Sequence, residues 1–171
     1  MDSRRGQTLI RKCYHLAKQE RTREDEGPVI VTPAELETLA AIVGKAGRML
    51  TAGSRRAGLV IKPDGSPVTD ADLACEKALS NVLGGAFPGL KVVGEESASH
   101  DGRLPDDDIV ALIDPLDGTR AYIEGGDDFC VCLAIVERGE PRLGIIGAPA
   151  REKVYAGLLG AAGPIVWSTQ T

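Results

Sequence analysis

Aromatic side chains are scarce in this sequence, since Phe, Trp and Tyr together make up only 4% of its 171 residues. Aliphatic side chains must therefore supply most of the core, and the hydrophobic share of 43% is large enough to build one. Apolar runs of membrane-spanning length are also lacking, and the first residues do not contain the apolar stretch of a secretory signal. These features predict a cytoplasmic protein without a transmembrane segment.

Cysteine is sparser still, with four residues at positions 13, 75, 130 and 132 and no CxxC pair among them. Cys130 and Cys132 alternate along a predicted strand, so their side chains should lie on the same face. Two such thiols are predicted to be buried side chains rather than a disulfide or half of a zinc site. Free thiols are typical of a reducing, cytoplasmic environment.

Positive charge is in deficit, because the net charge is -5. This balance argues against non-specific binding of nucleic acid. Residues 1–28 are the exception, since residues 1–26 hold seven Lys/Arg against five Asp/Glu. We predict that residues 1–28 form a charged, flexible extension. The remaining chain is therefore more acidic than its total suggests, and clustered carboxylates can bind divalent cations that in turn attract a phosphate.

Turn-forming residues are plentiful, with 21 Gly and 10 Pro, which excludes a purely helical fold. A capping box at Thr32, followed by Pro33, predicts a helix that ends near 50–53. N-cap candidates around Thr69 predict a second helix that stops at Gly84 and Gly85. Apolar, β-rich runs predict strands at 59–62, 90–93, 109–113, 129–137, 143–148 and 154–158. This order predicts an α+β fold in which a helix pair packs on a mostly antiparallel sheet.

Two carboxylates, Asp114 and Asp117, follow the apolar strand at 109–113. Pro115 cannot donate to a ladder, so we expect the chain to turn there, and Gly118-Thr119 should lead into a helical turn. Hard divalent cations prefer such oxygen ligands, while N–H groups at a helix start bind phosphate. Asp-Gly on its own is a common turn, but the whole hexapeptide after an apolar strand is far more specific for phosphoryl transfer.

Further acids occupy similar positions. Glu95 and Glu96 follow the predicted strand at 90–93, and one of them could supply a third metal ligand from a neighbouring strand, although this segment alone would be interpreted as a solvated loop. Asp70 and Asp72 lie at the start of the second helix. We expect one of these two acids to cap the helix and the other to face the site.

Three ordered segments carry a resemblance to a known family: Ser-Pro-Val-Thr-Asp-Ala-Asp at 66–72, Gly-Glu-Glu-Ser at 94–97 and Asp-Pro-Leu-Asp-Gly-Thr at 114–119. They resemble the inositol monophosphatase superfamily of magnesium-dependent, lithium-sensitive phosphomonoesterases. The residues after the hexapeptide look most like those of the bacterial 3'(2'),5'-bisphosphate nucleotidase branch, with Arg-Ala-Tyr-Ile at 120–123, Asp-Phe at 128–129 and Gly-Ala-Pro at 147–149. The resemblance implies hydrolysis of the 3'-phosphate of adenosine 3',5'-bisphosphate, with an inositol phosphate or a sugar bisphosphate as the alternative substrate.

The same resemblance implies the metal ligands. Glu95, Asp114 and the Leu116 carbonyl would hold a first Mg²⁺, and Asp114 would bridge to a second that Asp117 also binds. Two or three Mg²⁺ ions are implied in all, with inhibition by lithium.

The resemblance also implies how the substrate is handled. The N–H groups of Gly118 and Thr119 would bind the phosphate, and Thr119, Asp72 and Glu95 would orient the attacking water. The implied partner is a small phosphorylated metabolite rather than nucleic acid, and a homodimer is compatible with the family.

Members of this superfamily carry a second α/β half with a Trp-Asp motif, whose acid completes the second metal site. Here Trp167 is followed by Ser168, and we find no such motif. Residues 29–171 are therefore predicted to be the N-terminal α+β part of a phosphatase domain, the first half of the layered sugar-phosphatase fold. A remaining alternative is a metal- or phosphate-binding fragment without catalytic activity.

Overall fold

The computed structural model describes residues 31–97, 109–159 and 165–169. Two long helices precede a sheet, which gives the α+β fold predicted from the sequence. The helices are α1 (Pro33–Ala52), α2 (Asp70–Ala86) and the short α3 (Thr119–Ile123), with a 3₁₀ turn at Pro149–Arg151. The strands are β1 (Val60–Ile61), β2 (Pro67–Val68), β3 (Lys91–Gly94), β4 (Ile109–Asp117), β5 (Cys130–Glu137), β6 (Glu140–Ala148), β7 (Lys153–Leu158) and β8 (Ile165–Ser168).

Helix α1 begins where the sequence predicts it to begin. The Thr32 hydroxyl accepts a hydrogen bond from the Glu35 backbone N–H at 3.3 Å, and the Glu35 carboxylate accepts one from the Thr32 N–H at 2.7 Å. Such caps stabilise a helix by roughly 1 kcal/mol. Pro33 occupies the first turn, and Gly53 caps the C-terminus, within the predicted range.

Helix α2 has the same kind of start but a different end from the one predicted. Thr69 caps it, and Asp72 completes a second capping box. The prediction that Gly84 and Gly85 stop the helix is wrong, because both lie inside it and the cap is Phe87, whose N–H donates to the Leu83 carbonyl. An isolated helical Gly weakens a helix by only about 1 kcal/mol, which tertiary packing of α2 can offset.

A six-stranded sheet in the order β3-β4-β5-β6-β7-β8 forms the body of the fold. Only the β3–β4 pair is parallel, and each of the other pairs is antiparallel. The β5–β6 hairpin turns at Arg138 and Gly139, whose φ angles are 49° and 82°. Two successive positive φ values match the twist of the flanking strands. Strand β8 was not predicted from the sequence.

Helices α1 and α2 pack on the sheet to form the main core. Aliphatic side chains dominate it, as the scarcity of aromatics predicts, with Leu39, Val43, Leu83, Ile113 and Ile145 among its buried members. Two apolar side chains of α2 lie outside this core, since Leu73 is 53% and Val82 is 45% exposed. They lie on the solvent-facing side of the helix.

Strand β4 corrects a further prediction. The chain does not turn away from the sheet at Pro115, because pairing with β5 resumes at Asp117 after a register shift. The Pro falls in the irregular segment, where no ladder hydrogen bond from its nitrogen is required. The predicted extension at 1–28 lies outside the described residues. Among those that are described, no helix is long and apolar enough to cross a membrane.

Candidate functional site

The acidic residues predicted from the sequence meet at one end of the β3–β4 pair. Gly94, the last residue of β3, pairs with Ile113, and the Glu95 N–H donates to the Ile113 carbonyl at 3.0 Å. Glu95 and Asp114 therefore leave neighbouring parallel strands side by side, and their carboxyl groups share a hydrogen bond. Strand ends of this kind bring together side chains that are distant in sequence.

Burial makes the Asp114 carboxyl hard to ionise. The residue is only 6% exposed. Burial, with the neighbouring Glu95 and Asp117 carboxylates, raises its pKa to about 9, against a smaller lowering effect of the Leu116 N–H, which donates to Asp114 at 3.1 Å. The pKa of Glu95 is also raised, first by desolvation of its carboxyl group, although the residue as a whole is exposed. The positive charge of Lys62 opposes the rise in the pKa of Glu95 without cancelling it.

Asp117 reaches the same side of the sheet through a bulge in β4. Asp114 pairs with Cys132 and Asp117 pairs with Cys130, so three steps along β4 match two steps along β5. In a regular strand an odd spacing would put the two acids on opposite faces. One extra residue in β4 cancels this difference, since cross-strand partners share a face.

Asp72 has two tasks rather than one. Its Oδ2 accepts hydrogen bonds from the Thr69 N–H at 2.8 Å and the Thr69 hydroxyl at 2.6 Å, which caps α2. Its Oδ1 accepts a hydrogen bond from the Thr119 hydroxyl at 3.2 Å. The prediction that one of the two acids caps the helix while the other faces the site is therefore wrong, because Asp72 does both. Asp70 is exposed, and its carboxylate lies against Gly58.

Thr119 is held from two sides. Besides its bond to Asp72, its hydroxyl lies 3.0 Å from the Leu116 carbonyl oxygen, which it can contact as a donor. One hydroxyl proton cannot serve both acceptors fully, so the group is poised between them. Asp72 lies only 1% exposed, which fixes its position. The structure thus brings together Asp72, Thr119 and Leu116, three of the residues that the resemblance implies for the site.

Gly118 is needed at the turn into α3. Its φ of 90° lies in the left-handed region, and a Cβ there would come within 2.5 Å of the Asp128 carbonyl oxygen. A side chain is therefore excluded on two grounds. Gly118 and Thr119 open α3, and the first-turn N–H groups of a helix have no partners within it.

A supporting network behind Glu95 was missed in the sequence. Glu76 is 7% exposed, and its carboxylate accepts the Glu96 N–H at 2.8 Å. A Cβ on Gly94 would overlap that carboxylate, at 2.1 Å from its carbon. Lys62 then pairs with the Glu96 carboxylate at 2.6 Å. The available signal was the spacing of Glu76 from Asp72, four residues along one helix, which places both on the same face.

A second support anchors α3. Tyr122 is fully buried, and its hydroxyl donates to the Leu50 carbonyl of α1 at 2.7 Å. Its ring meets the Phe129 ring edge-on at 5.0 Å, and the Arg55 guanidinium lies 5.2 Å from the Tyr122 ring centre. The turn that carries Gly118 and Thr119 is therefore fixed to the helical layer as well as to the sheet.

The donor set fits a divalent cation. Carboxylate and carbonyl oxygens from Glu95, Asp114, Leu116 and Asp117 are the ligands that Mg²⁺ prefers. Burial first, and then the neighbouring carboxylates, raises the pKa values of Glu95 and Asp114, and a bound divalent cation would oppose both effects. Among the described residues, one group of potential side-chain ligands has its ligand atoms within 4.8 Å of one another, and it consists of Asp117, Cys130 and Cys132.

Comparison with known proteins agrees with this geometry. The sequence pattern of the inositol monophosphatase family matches residues 33–170. The chain is 33% identical over 124 residues to the Nus factor SuhB of Pasteurella multocida, covering 71% of this chain and 46% of that protein. It is 32% identical over 124 residues to the 3'(2'),5'-bisphosphate nucleotidase CysQ of Escherichia coli K12, covering 72% of this chain and 50% of that protein.

The fold is shared as well. The IMPase of Thermotoga maritima superposes with a TM-score of 0.68 and 26% identity, covering 78% of this chain and 51% of that one. The chain thus spans about half the length of the relatives it matches. The matched segment includes every residue of the acidic site and both long helices. The chain belongs to the inositol monophosphatase family.

Proposed function

We propose that this chain forms the metal- and phosphate-binding part of a Mg²⁺-dependent phosphomonoesterase. The observation that carries the proposal is the convergence of Glu95, Asp114 and Asp117 beside the Thr119–Asp72 hydrogen bond, at the end of two neighbouring strands. Packing does not account for three neighbouring carboxyl groups, because their mutual repulsion and the burial of Asp114 are both unfavourable.

In this proposal Glu95, Asp114, the Leu116 carbonyl and Asp117 hold the Mg²⁺ ions. When bound, the ions make a water molecule more acidic and neutralise charge on the phosphate. Burial and the neighbouring carboxylates raise the pKa of Asp114. The two positive charges of a bound Mg²⁺ would counteract the repulsion among these carboxylates and favour their ionised form.

The chain's own groups then position the reactants. Asp72, held by Thr69 at 2.6 Å, keeps the Thr119 hydroxyl in place. From there Thr119 and Asp72 can accept a proton from, or orient, a water aimed at phosphorus. The N–H groups of Gly118 and Thr119 would bind phosphate oxygens, which the left-handed Gly118 allows to approach closely.

For the substrate we propose the 3'-phosphate of adenosine 3',5'-bisphosphate, a small phosphorylated metabolite. The likeness to the nucleotidase CysQ supports this choice, as do the residues that follow the hexapeptide. The likeness to SuhB is equally strong, so an inositol phosphate is the competing substrate. Parts of the pocket for the leaving group would lie in the half of the relatives that this chain does not span.

The test is release of phosphate by the purified 171-residue chain with Mg²⁺ and adenosine 3',5'-bisphosphate, an inositol monophosphate or a sugar bisphosphate. We expect the nucleotide to be turned over fastest, with inhibition by lithium and complete loss in Asp114→Asn. Asp70→Asn removes a nearby exposed carboxylate outside the site and is the matched control. Turnover that survives Asp114→Asn would refute the metal role. Mg²⁺ binding without turnover of any substrate would support the non-catalytic alternative.

A further inference from the structure

Two thiols lie directly beside the proposed magnesium ligands. Cys130 and Cys132 face the same side of β5, as predicted, with their sulfur atoms 3.6 Å apart. The sheet register places Cys132 opposite Asp114 and Cys130 opposite Asp117. Cys130 Sγ lies 3.9 Å from the Asp117 Oδ2. Cys132 is buried, as predicted, whereas Cys130 is partly exposed. The mechanism proposed above uses neither thiol.

We propose that Asp117, Cys130 and Cys132 form a site for Zn²⁺, distinct in ligand chemistry from the magnesium site with which it shares Asp117. Two thiolates bound to one tetrahedral zinc at about 2.3 Å lie about 3.8 Å apart, close to the sulfur separation of 3.6 Å seen here. A thiolate and a carboxylate oxygen on the same ion lie about 3.6 Å apart, close to the 3.9 Å between Cys130 and Asp117.

The ligand chemistry selects the metal. Magnesium and calcium take oxygen ligands, whereas sulfur ligands favour zinc and related softer cations. Asp117 and Cys130 are partly exposed, so an ion can reach the group from solvent, while Cys132 is buried. Three protein ligands leave a fourth position of the tetrahedron for water, as in zinc sites that are not purely structural.

Sharing Asp117 has a consequence for regulation, which rests on the proposed function. Asp117 cannot complete both sites in the same geometry. Zinc held by the thiol pair would therefore withdraw a ligand from magnesium and inhibit phosphate release. Sensitivity to zinc would then depend on the thiols, although neither thiol takes part in the reaction.

Binding is tested first, with Co²⁺ as a spectroscopic substitute for Zn²⁺ and with a reductant present. The wild-type chain should bind one Co²⁺ with thiolate-to-metal charge-transfer absorption in the near ultraviolet and tetrahedral bands in the visible. Added Zn²⁺ should displace Co²⁺ and abolish both the charge-transfer absorption and the visible bands. Cys130→Ser and Cys132→Ser should lose the charge-transfer absorption, and Asp117→Asn should shift the visible bands. Cys75→Ala, in the core, and Cys13→Ser, outside the described residues, are thiol controls that should bind as wild type.

A measurement on the unmutated ligands covers the case in which a serine variant fails to fold. X-ray absorption of the Zn²⁺-loaded Cys13→Ser, Cys75→Ala chain should show two sulfur neighbours at about 2.3 Å and oxygens at about 2.0 Å. An all-oxygen shell, or charge-transfer absorption that persists without Cys130, would overturn the proposal. An unchanged spectrum in Asp117→Asn would also overturn it, because the site would then be a dithiolate alone.

The regulatory consequence has its own readout. The Zn²⁺ concentration that halves phosphate release should rise at least tenfold in the Cys130→Ser, Cys132→Ser double variant, with each rate normalised to its own zinc-free value. Equal sensitivity in both chains would refute the inhibition. Because Co²⁺ binding needs no turnover, a chain that binds Co²⁺ through both thiols but releases no phosphate would count against the proposed function and not against the zinc site.

Discussion

The ionisation of Asp114 offers the most direct test of the acidic site, because it can be read from stability alone. The carboxyl has a pKa of about 9 in the folded chain, above its usual value of 3.8. The folded state therefore holds a proton that the unfolded state has released across this interval. Stability contributed by this group is present at low pH and is lost as the pH rises towards the folded pKa.

The magnitude follows from proton linkage. One proton of difference between the folded and unfolded states changes the free energy of unfolding by about 1.4 kcal/mol per pH unit. Between pH 6 and pH 8, the metal-free chain should lose roughly 3 kcal/mol through this group. Asp114→Asn cannot ionise, so its stability should lack this component. Subtracting the pH profile of Asp114→Asn from that of the wild type removes the contribution of every group that titrates alike in both chains.

The assay is urea unfolding with a chelator at several pH values between 6 and 8, for wild type, Asp114→Asn and Asp70→Asn. Asp70 is an exposed acid on the same helix as Asp72. Asp70→Asn should therefore show the same change of unfolding free energy with pH as the wild type. Saturating Mg²⁺ should stabilise the wild type more at pH 8 than at pH 6 and leave Asp114→Asn unaffected. Parallel pH profiles for wild type and Asp114→Asn would refute the reasoning, since Asp114 would then ionise as it does in the unfolded chain.

Three further test substitutions, two of them paired with a control substitution, probe the parts that hold the site. Thr119→Ala should slow phosphate release about 100-fold while Thr119→Ser retains most activity, because only the hydroxyl is used; rates at saturating substrate decide this. Gly94→Ala should destabilise the chain by about 2 kcal/mol or more, since its Cβ would overlap the Glu76 carboxylate, whereas Gly84→Ala, with open space around it, should stabilise it by up to about 1 kcal/mol. Urea midpoints with the order reversed would contradict the packing described. Tyr122→Phe should cost about 1 to 2 kcal/mol by leaving a buried carbonyl without its donor, and unchanged thermal unfolding would count against that bond.

Local sequence signals predicted much of the fold. Capping boxes at Thr32 and Thr69 depend on residues three positions apart, so they are visible in the sequence, and both helices begin there. The end of α2 was missed because a glycine signal is weak when packing holds the helix beyond it. Strand β8 is four residues long and is defined by its pairing with β7, which no local pattern reports.

For the site, too, local sequence predicted individual residues but not the contacts between distant segments. Each acid could be proposed from its own strand end or helix start, but contacts between segments could not. The bond from Thr119 to Asp72 joins residues 47 positions apart, and that from Glu96 to Glu76 joins residues 20 apart. Such pairs depend on how α2 sits against β3 and β4. Glu76 in particular has an ordinary helical position in the sequence, and only burial reveals its role.

The bulge in β4 explains why a turn was predicted where a strand continues. Pro115 argues against a regular ladder, and a turn is the simplest outcome of that conflict. A bulge resolves it differently, because the inserted residue needs no hydrogen-bonding partner and pairing can resume beyond it. Pairing resumes at Asp117, and the odd spacing between the two acids becomes a same-face arrangement. Both proposed metal sites depend on this one-residue shift, since a regular β4 would turn Asp117 away from Asp114 and from both thiols.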